Sequence, residues 1–267
     1  MHIDPNWRIL TIGDGDLSFS NALLLHHAPK QLTATIYDPL ATLQDKYGDD
    51  FYRKLITNNC QVLTGFDITK PETWSEVSRR SFDLVIFQFP LVPGFTSKAE
   101  FNEKCAGTGI NTLNRRLLRQ FLINASQQLL DPVGPQLCYI TSKDVKPYSE
   151  WNIERSLILN TDINYLGEMN FDIANFPGYR IRNVDRDKHV KDTKGITYVW
   201  SPRPASQLAK ALSLQLVQPP ILGDDCCHYC QAGPFTSEQH KQAHESSRKH
   251  LRMKDFELQW LADLQTA

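Results

Sequence analysis

The stretch Ile9-Leu10-Thr11-Ile12-Gly13-Asp14-Gly15-Asp16-Leu17-Ser18-Phe19-Ser20 constrains this chain more than any other. An apolar run enters two closely spaced glycines and leaves through residues that read as a helix. That is a strand, a tight turn and a helix start. Glycine at 13 and 15 lets the backbone turn sharply and lets a ligand approach it closely. Ser18 is expected to cap the helix running through Ala22, Leu23 and Leu24. The exposed amides at that helix start then suit an anionic or strongly polar ligand. Alone, Gly-x-Gly-x-x-Ser lacks the third glycine of a dinucleotide fingerprint, so the remaining chain has to decide its meaning.

The next segments repeat the pattern. Leu32 to Tyr37 reads as a second strand ending at Asp38-Pro39, with Asp38 at the edge that faces ligand in a doubly wound sheet. An acid about twenty residues beyond a glycine turn is the usual partner of ribose hydroxyls. Ala41 to Leu55 reads as one helix, and Cys60 to Asp67 as a third strand ending in an acid. Asp67 suits an adenine amino group, or equally a cap for a helix beginning near Pro71. Phe82 to Pro90 is a nearly continuous apolar run, as in a strand buried on both faces. Pro90 ends it, and Leu91-Val92-Pro93-Gly94 reads as a turn. Residues 95–111 read as loop, then Asn114 to Leu130 as a helix whose Arg115, Arg116 and Arg119 form a solvated face.

A fifth strand spans Gln136 to Thr141, and Lys146 to Ile153 opens another helix. Thr161 to Glu168 and Gly195 to Trp200 read as strands joined without a helix, on either side of a turn with Arg180 and Arg182 and a charged stretch to Lys194. Strands alternating with helices predict an α/β fold with a Rossmann-like parallel sheet. The two late strands predict an antiparallel closing hairpin. Residues 202–225, with Gln218-Pro219-Pro220, read as a linker containing one helical turn. The expected division is therefore 1–201, a linker 202–225, and 226–267.

Composition sets the outer limits. The 267 residues are 41% hydrophobic, enough for a sizeable core, and carry a formal net charge of -1. Contact with nucleic acid must then come from local patches rather than bulk charge. No apolar run approaches a membrane span and no apolar leader stands at the N-terminus. An intracellular protein is expected, cytoplasmic or nuclear and nucleolar, with no membrane partner. Three of the six cysteines cluster at Cys226, Cys227 and Cys230, which suits a metal site in a reducing compartment better than a disulfide framework.

That cluster opens the second strong signal. Cys227 and Cys230 are followed after thirteen residues by His244, and after five more by His250. Two thiolates and two imidazoles give zinc a tetrahedral set. Phe235 supplies the apolar plug, and zinc would contribute much of the folding free energy of so short a unit. Cys226 and His240 are rival ligands one step off the pattern. Arg248, Lys249, Arg252 and Lys254 form a basic patch suited to phosphates. His244 to His250 resembles the matrin and double-stranded-RNA class of C2H2 fingers. Ser246-Ser247 would ease the helix distortion such a histidine spacing needs. Asp255 to Leu264 reads as an amphipathic continuation.

Five stretches in order carry a broader resemblance. They are Gly13 to Ser20, Phe87-Gln88-Phe89-Pro90, Asn114 to Leu118, Lys146 to Asn152 and Phe176-Pro177-Gly178-Tyr179. Together they resemble the large-subunit rRNA uracil-N3 methyltransferase-like family. The resemblance implies a class I fold dependent on S-adenosylmethionine (SAM) and methylation of uridine N3 in ribosomal RNA. It implies that Gly13, Asp14 and Gly15 hold the amino-acid end of SAM, Asp38 its ribose and Asp67 its adenine. Gln88 would hydrogen-bond the acceptor base, and Phe89 or Tyr148 would stack on it. Lys143, Arg180, Arg182, Arg248 and Lys249 are candidates for RNA phosphates. The family's usual Phe-Asn-Phe-Pro-His is here Phe87-Gln88-Phe89-Pro90-Leu91, which replaces a polar group by leucine. The alternative is therefore a catalytically weak or inactive RNA-binding module on the same fold. A nicotinamide dehydrogenase would also suit Gly13 and Asp38, but no catalytic His/Lys/Tyr constellation accompanies them.

Overall fold

Apolar runs flanked by turn residues form the strands, and the longest run lies at the centre of the sheet. In the computed structural model β1 (Arg8–Ile12), β2 (Gln31–Thr35), β3 (Gln61–Leu63), β4 (Leu84–Gln88), β5 (Leu137–Lys143), β6 (Asn164–Phe171) and β7 (Gly195–Ser201) form one sheet. The structure describes every residue except 75, 93, 94, 96, 106, 183–194, 219–221 and 267. The expected Pro93-Gly94 turn, Pro219-Pro220 and the charged stretch to Lys194 lie outside the described residues. Strand order is β3-β2-β1-β4-β5-β7-β6. The first five strands are parallel, while β7 runs antiparallel to both β5 and β6. That is the expected α/β sheet with its antiparallel closing pair.

The helices are α1 (Ser18–His27), α2 (Leu40–Tyr47), α3 (Asp50–Thr57), α4 (Lys98–Cys105), α5 (Ile110–Asn124), α6 (Ile153–Ser156), α7 (Lys210–Ser213), α8 (Glu238–Glu245) and α9 (Arg248–Thr266). Two apolar layers sandwich the sheet. Ile9, Leu84, Ile86 and Tyr139 face one, together with Phe19 and Leu23 of α1. Leu10, Ile12, Val85 and Ile140 face the other, together with Leu118, Phe121 and Leu122 of α5. Alternate residues of β1 and β4 thus serve opposite layers, which is why both strands are largely apolar. At the amino ends of these strands, Arg8 joins Asp83 and Asp131, each at 2.7 Å.

Several expectations are corrected. The single helix over Ala41 to Leu55 is two, broken where Gly48 takes φ 76°. The loop over 95–111 contains α4. Instead of a full helix after Lys146 there is a 3-10 turn, Tyr148–Glu150, followed by the four-residue α6. The linker residues up to Gln218 are not free. Val217 exchanges backbone hydrogen bonds with Glu168 of β6 at 2.8 and 2.9 Å. Gly167 makes this approach possible, since a Cβ there would stand 2.9 Å from the Val217 carbonyl oxygen.

The largest correction concerns the arginines of α5. Read as a solvated face, they instead receive the C-terminal helix. Arg115 is fully buried, with Nη1 2.7 Å from Glu257 of α9. Arg116 pairs with Asp263 of α9, its Nε donating at 3.2 Å. Arg119 donates to the Leu157 and Leu159 carbonyls, both at 2.7 Å. Trp260 is buried between them and donates its indole N–H to the Ser156 carbonyl at 3.0 Å. The sequence feature behind this is the amphipathic continuation of α9, whose apolar side needed a partner. No helix among the described residues is long and apolar enough to cross a membrane.

A buried cation is tolerated only while paired, so Glu257→Ala should strand Arg115 and cost about 3–5 kcal/mol of stability. A denaturant midpoint shift measures this; a loss under about 1 kcal/mol would mean that water already reaches the guanidinium.

Candidate active site and metal centre

The carboxyl ends of β1 to β4 open into a cavity of about 410 Å³. Gly13, Asp14, Gly15, Asp38, Asp67, Gln88 and Phe89 all line it, so one cleft gathers the expected cofactor residues and two of the three expected acceptor-side residues. Its volume lies within the usual range for small-molecule sites. Neighbouring strands lie about 4.8 Å apart, so Asp67 beyond β3 and Gln88 on β4 mark opposite ends of a span of roughly 14 Å.

The glycine turn is built differently from expectation. Gly13 adopts φ 59°, a left-handed conformation that favours glycine, and a Cβ would meet the Phe87 ring at 3.1 Å. Ser18 does not cap α1. Leu17, at φ 64°, occupies the cap position, and two aspartates supply the acceptors. Asp16 Oδ1 accepts from the Ser18 amide at 3.0 Å, and Asp14 Oδ2 accepts from the Ser20 amide and hydroxyl, each at 2.6 Å. Two of the helix-start amides, those of Ser18 and Ser20, are thus already satisfied. Carboxylates reach farther than a serine hydroxyl and bring the charge that the helix start favours. The loop therefore carries two acids, of which Asp16 is paired with Arg182. Burial, and then the neighbouring Asp16, push the Asp14 carboxyl up to about 7 against its Ser20 hydrogen bonds.

Asp38 lies one third exposed on the cavity wall, with Lys46 Nζ 2.9 Å away. Asp67 does not cap the short helix at Pro71, whose cap position is Lys70. Its Oδ1 accepts from the Thr69 amide at 2.9 Å and hydroxyl at 2.7 Å, closing a turn, while it also lines the cavity. Gln88 Oε1 is buried with no hydrogen-bond partner. Phe89 holds φ 46°, a strained value for a bulky residue, with its amide bonded to the Thr141 carbonyl at 2.8 Å. Tyr148 lies apart from the main cavity, in an adjoining recess that shares Phe89, Pro90, Leu91 and Arg182 with it. Lys143 stands 5.7 Å from the Tyr148 ring centre, and burial lowers its pKa.

Arg182 is turned inward. Its Nε donates to Asp16 Oδ2 at 2.7 Å, and its guanidinium lies 5.1 Å from the Tyr47 ring centre. It is a wall of the cavity rather than an outlying phosphate contact. The Arg180 amide donates to Ser18 Oγ at 3.1 Å, fastening the same segment to α1. Sequence reasoning missed this Asp16–Arg182 closure, because 166 residues separate the partners. It also missed Leu113, Arg116, Leu117 and Gln120 of α5, which form a further wall.

The metal-ligand set closes as the spacing predicts. One ligand atom from each of Cys227, Cys230, His244 and His250 lies within 4.8 Å of the others. His250 Nδ1 stands 3.4 Å from Cys227 Sγ, 3.9 Å from Cys230 Sγ and 3.3 Å from His244 Nε2. Tetrahedral zinc with ordinary bond lengths would separate its ligands by about 3.3–3.8 Å, so these donors fit that ion. Cys226 and His240 stand outside the cluster. The helix breaks between α8 and α9 at Ser246-Ser247, delivering both histidines to one point. Phe235 packs on the cluster with Met253. Arg248 and Lys249 are exposed, whereas Arg252 of the expected basic patch reaches Glu150 at 2.5 Å.

The model of the BMT5-like family, described as rRNA (uridine-N3-)-methyltransferase BTM5-like, matches residues 10–183. The heavy metal-associated isoprenylated plant protein 41 of Arabidopsis thaliana is 28% identical over 187 residues. That match covers 69% of this chain and 34% of the relative, so the chain spans about one third of the relative's length. Among solved structures, the B. subtilis M1A22 tRNA methyltransferase TrmK aligns with TM-score 0.43 and 11% identity, over 98% of this chain and 93% of that one. M. jannaschii TYW2 in complex with AdoMet aligns with TM-score 0.38 and 13% identity, over 74% of this chain and 70% of that one.

Elemental analysis should find one zinc per chain, lost in Cys227→Ser and retained in Cys226→Ser; the reverse pattern would shift the ligand set by one residue. Asp14, with its pKa raised in the folded state to about 7, binds a proton that the unfolded chain has already lost above its ordinary value of 3.8. Stability should therefore fall as pH rises between these values, and level off above. Asp14→Asn should flatten that slope in denaturation series; an unchanged slope would assign it to another group.

Proposed function

Because this chain belongs to the BMT5-like rRNA (uridine-N3-)-methyltransferase family, we propose that it transfers a methyl group from SAM to uridine N3 in ribosomal RNA. The observation carrying this reading is the order of groups along one sheet edge: Asp67 after β3, Asp38 after β2, the glycine turn after β1 and Gln88 on β4. An elongated nucleoside-type ligand lying along that edge would meet acids at its adenine and ribose ends and the buried Asp14 at its cationic end. Gly13 and Gly15 would leave room for it, since a Cβ at Gly15 meets nothing within 4 Å. These features fit SAM, which when bound supplies an activated methyl group on its sulfonium.

The chain's own residues would do the rest by placement. An acceptor base would enter beside Gln88, which lines the cavity and whose amide Nε2 would donate to a uracil carbonyl and hold the ring in position. As the N3–methyl bond forms and the sulfonium–methyl bond breaks, the N3 proton would pass to water. Phe89 forms the adjoining apolar wall. Holding both reactants at near-attack distance is the main catalytic contribution available here. Leu91 lines the same wall where a titratable group is usual in the family, and this favours the second reading, an RNA-binding module with little turnover. Arg248 and Lys249 of the finger would add phosphate contacts.

Calorimetry should show SAM binding that Asp38→Ala weakens at least about tenfold, equivalent to one lost charged hydrogen bond. Mass spectrometry of deproteinised large-subunit rRNA incubated with protein and SAM should show N3-methyluridine. Gln88→Ala should slow that transfer about 10–100-fold with SAM affinity unchanged. A folded protein that fails to bind SAM would refute the cofactor assignment, and SAM binding without transfer would select the binding-module reading.

A further inference from the structure

Beyond the packing of α9 on α5, the metal-binding half of the finger holds the segment that follows β5. The turn Tyr148–Glu150 lies between β5 and α6. Tyr148 borders the recess that shares Phe89 and Leu91 with the main cavity. Trp151 is buried in the core and anchors the end of the turn, with its ring 5.1 Å from that of Tyr148. Glu150, also buried, is held from the finger side. Its Oε1 accepts from Arg252 Nη2 at 2.5 Å and lies 3.4 Å from Lys146 Nζ. Its carbonyl accepts from the buried Arg115 at 3.4 Å.

Arg252 follows the ligand His250 by two residues. On the other half of the metal site, Gln231 follows the ligand Cys230 and donates to Asn152 Oδ1 at 2.9 Å and to Glu154. Both halves of the metal site therefore fasten residues 150–154. A loop joined to a core at one end and to a metal-ordered unit along its flank loses most of its freedom.

We propose that Glu150 is a positioning residue through which the metal-loaded finger sets the place of Tyr148 beside the acceptor recess. The finger then builds part of the acceptor side, in addition to any contact it makes with RNA. This rests on the reading of the β4 edge as the acceptor side, and the test separates the two.

Hydrogen–deuterium exchange on the full zinc-loaded chain reads the link without any activity. Amides of residues 145–152 should exchange at least about tenfold faster in Glu150→Ala, and in wild type after zinc is removed by a chelator, while β1 and β4 stay protected. Glu150→Gln, which keeps an acceptor for Arg252, should recover much of the protection. Arg252→Met breaks the same contact from its exposed side and should behave like Glu150→Ala, which guards against a variant that misfolds. With large-subunit rRNA and SAM, Glu150→Ala should lower kcat about tenfold and leave SAM affinity within about twofold. Wild-type exchange rates at 145–152 in zinc-loaded Glu150→Ala would overturn the proposal. So would a raised KM for rRNA with unchanged kcat, since that pattern marks the finger as an RNA handle alone. A wild type that neither binds SAM nor methylates would instead refute the functional reading, and the exchange rates would still decide the link.

Discussion

A guanidinium sealed from water must be answered by opposite charge, and Arg115 is answered by Glu257 from the far end of the chain. The helix carrying Arg115 faces three ways. Leu118, Phe121 and Leu122 enter the core beneath the sheet, Leu113, Leu117 and Gln120 face the cavity, and Arg115 and Arg116 meet α9. Whatever displaces α9 therefore disturbs the wall against which a ligand would rest. The metal-ligand cluster stands at the root of α9, so its chemistry and the shape of the cavity belong to one packed assembly.

Within the cavity, the recurrent element is an acid at or just beyond a strand end. Parallel strands point their carboxyl ends the same way, so a short motif repeated along the sequence becomes a row of carboxylates along one edge. Their duties differ with burial. Asp14 and Asp16 are inside and are used to start α1, while Asp38 and Asp67 remain partly open on the wall. Arg182 neutralises Asp16 from the last segment before the closing strand, which ties the two ends of the fold across the cleft.

Most of the sheet was legible in the sequence because its central strands, β1 and β4, are largely apolar and the others are β-rich runs flanked by residues that turn the chain. The metal ligands were legible because their spacing is local. What escaped depended on distance or on a single backbone angle. Arg115 and Arg116 of α5 looked solvated because their partners lie about 140 residues away, beyond any periodicity. Gly48 broke a helix whose side-chain pattern runs straight through it. Ser18 is a good capping residue in isolation, and lost that position to two acids that reach the same amides. Tyr148 lies in the recess next to the main cavity, on a short turn where the sequence pattern suggested a full helix.

The contact between Val217 and Glu168 has a consequence for behaviour in crowded solution. Strand β6 closes one side of the sheet, and a bare strand there would offer its unpaired amides and carbonyls as a template for another molecule. The stretch that looks like spacer in the sequence covers part of that row, and Gly167 provides the clearance for it to lie flat. The residues leading to the metal site therefore also act as a selvedge, keeping the sheet from recruiting a strand from its neighbours.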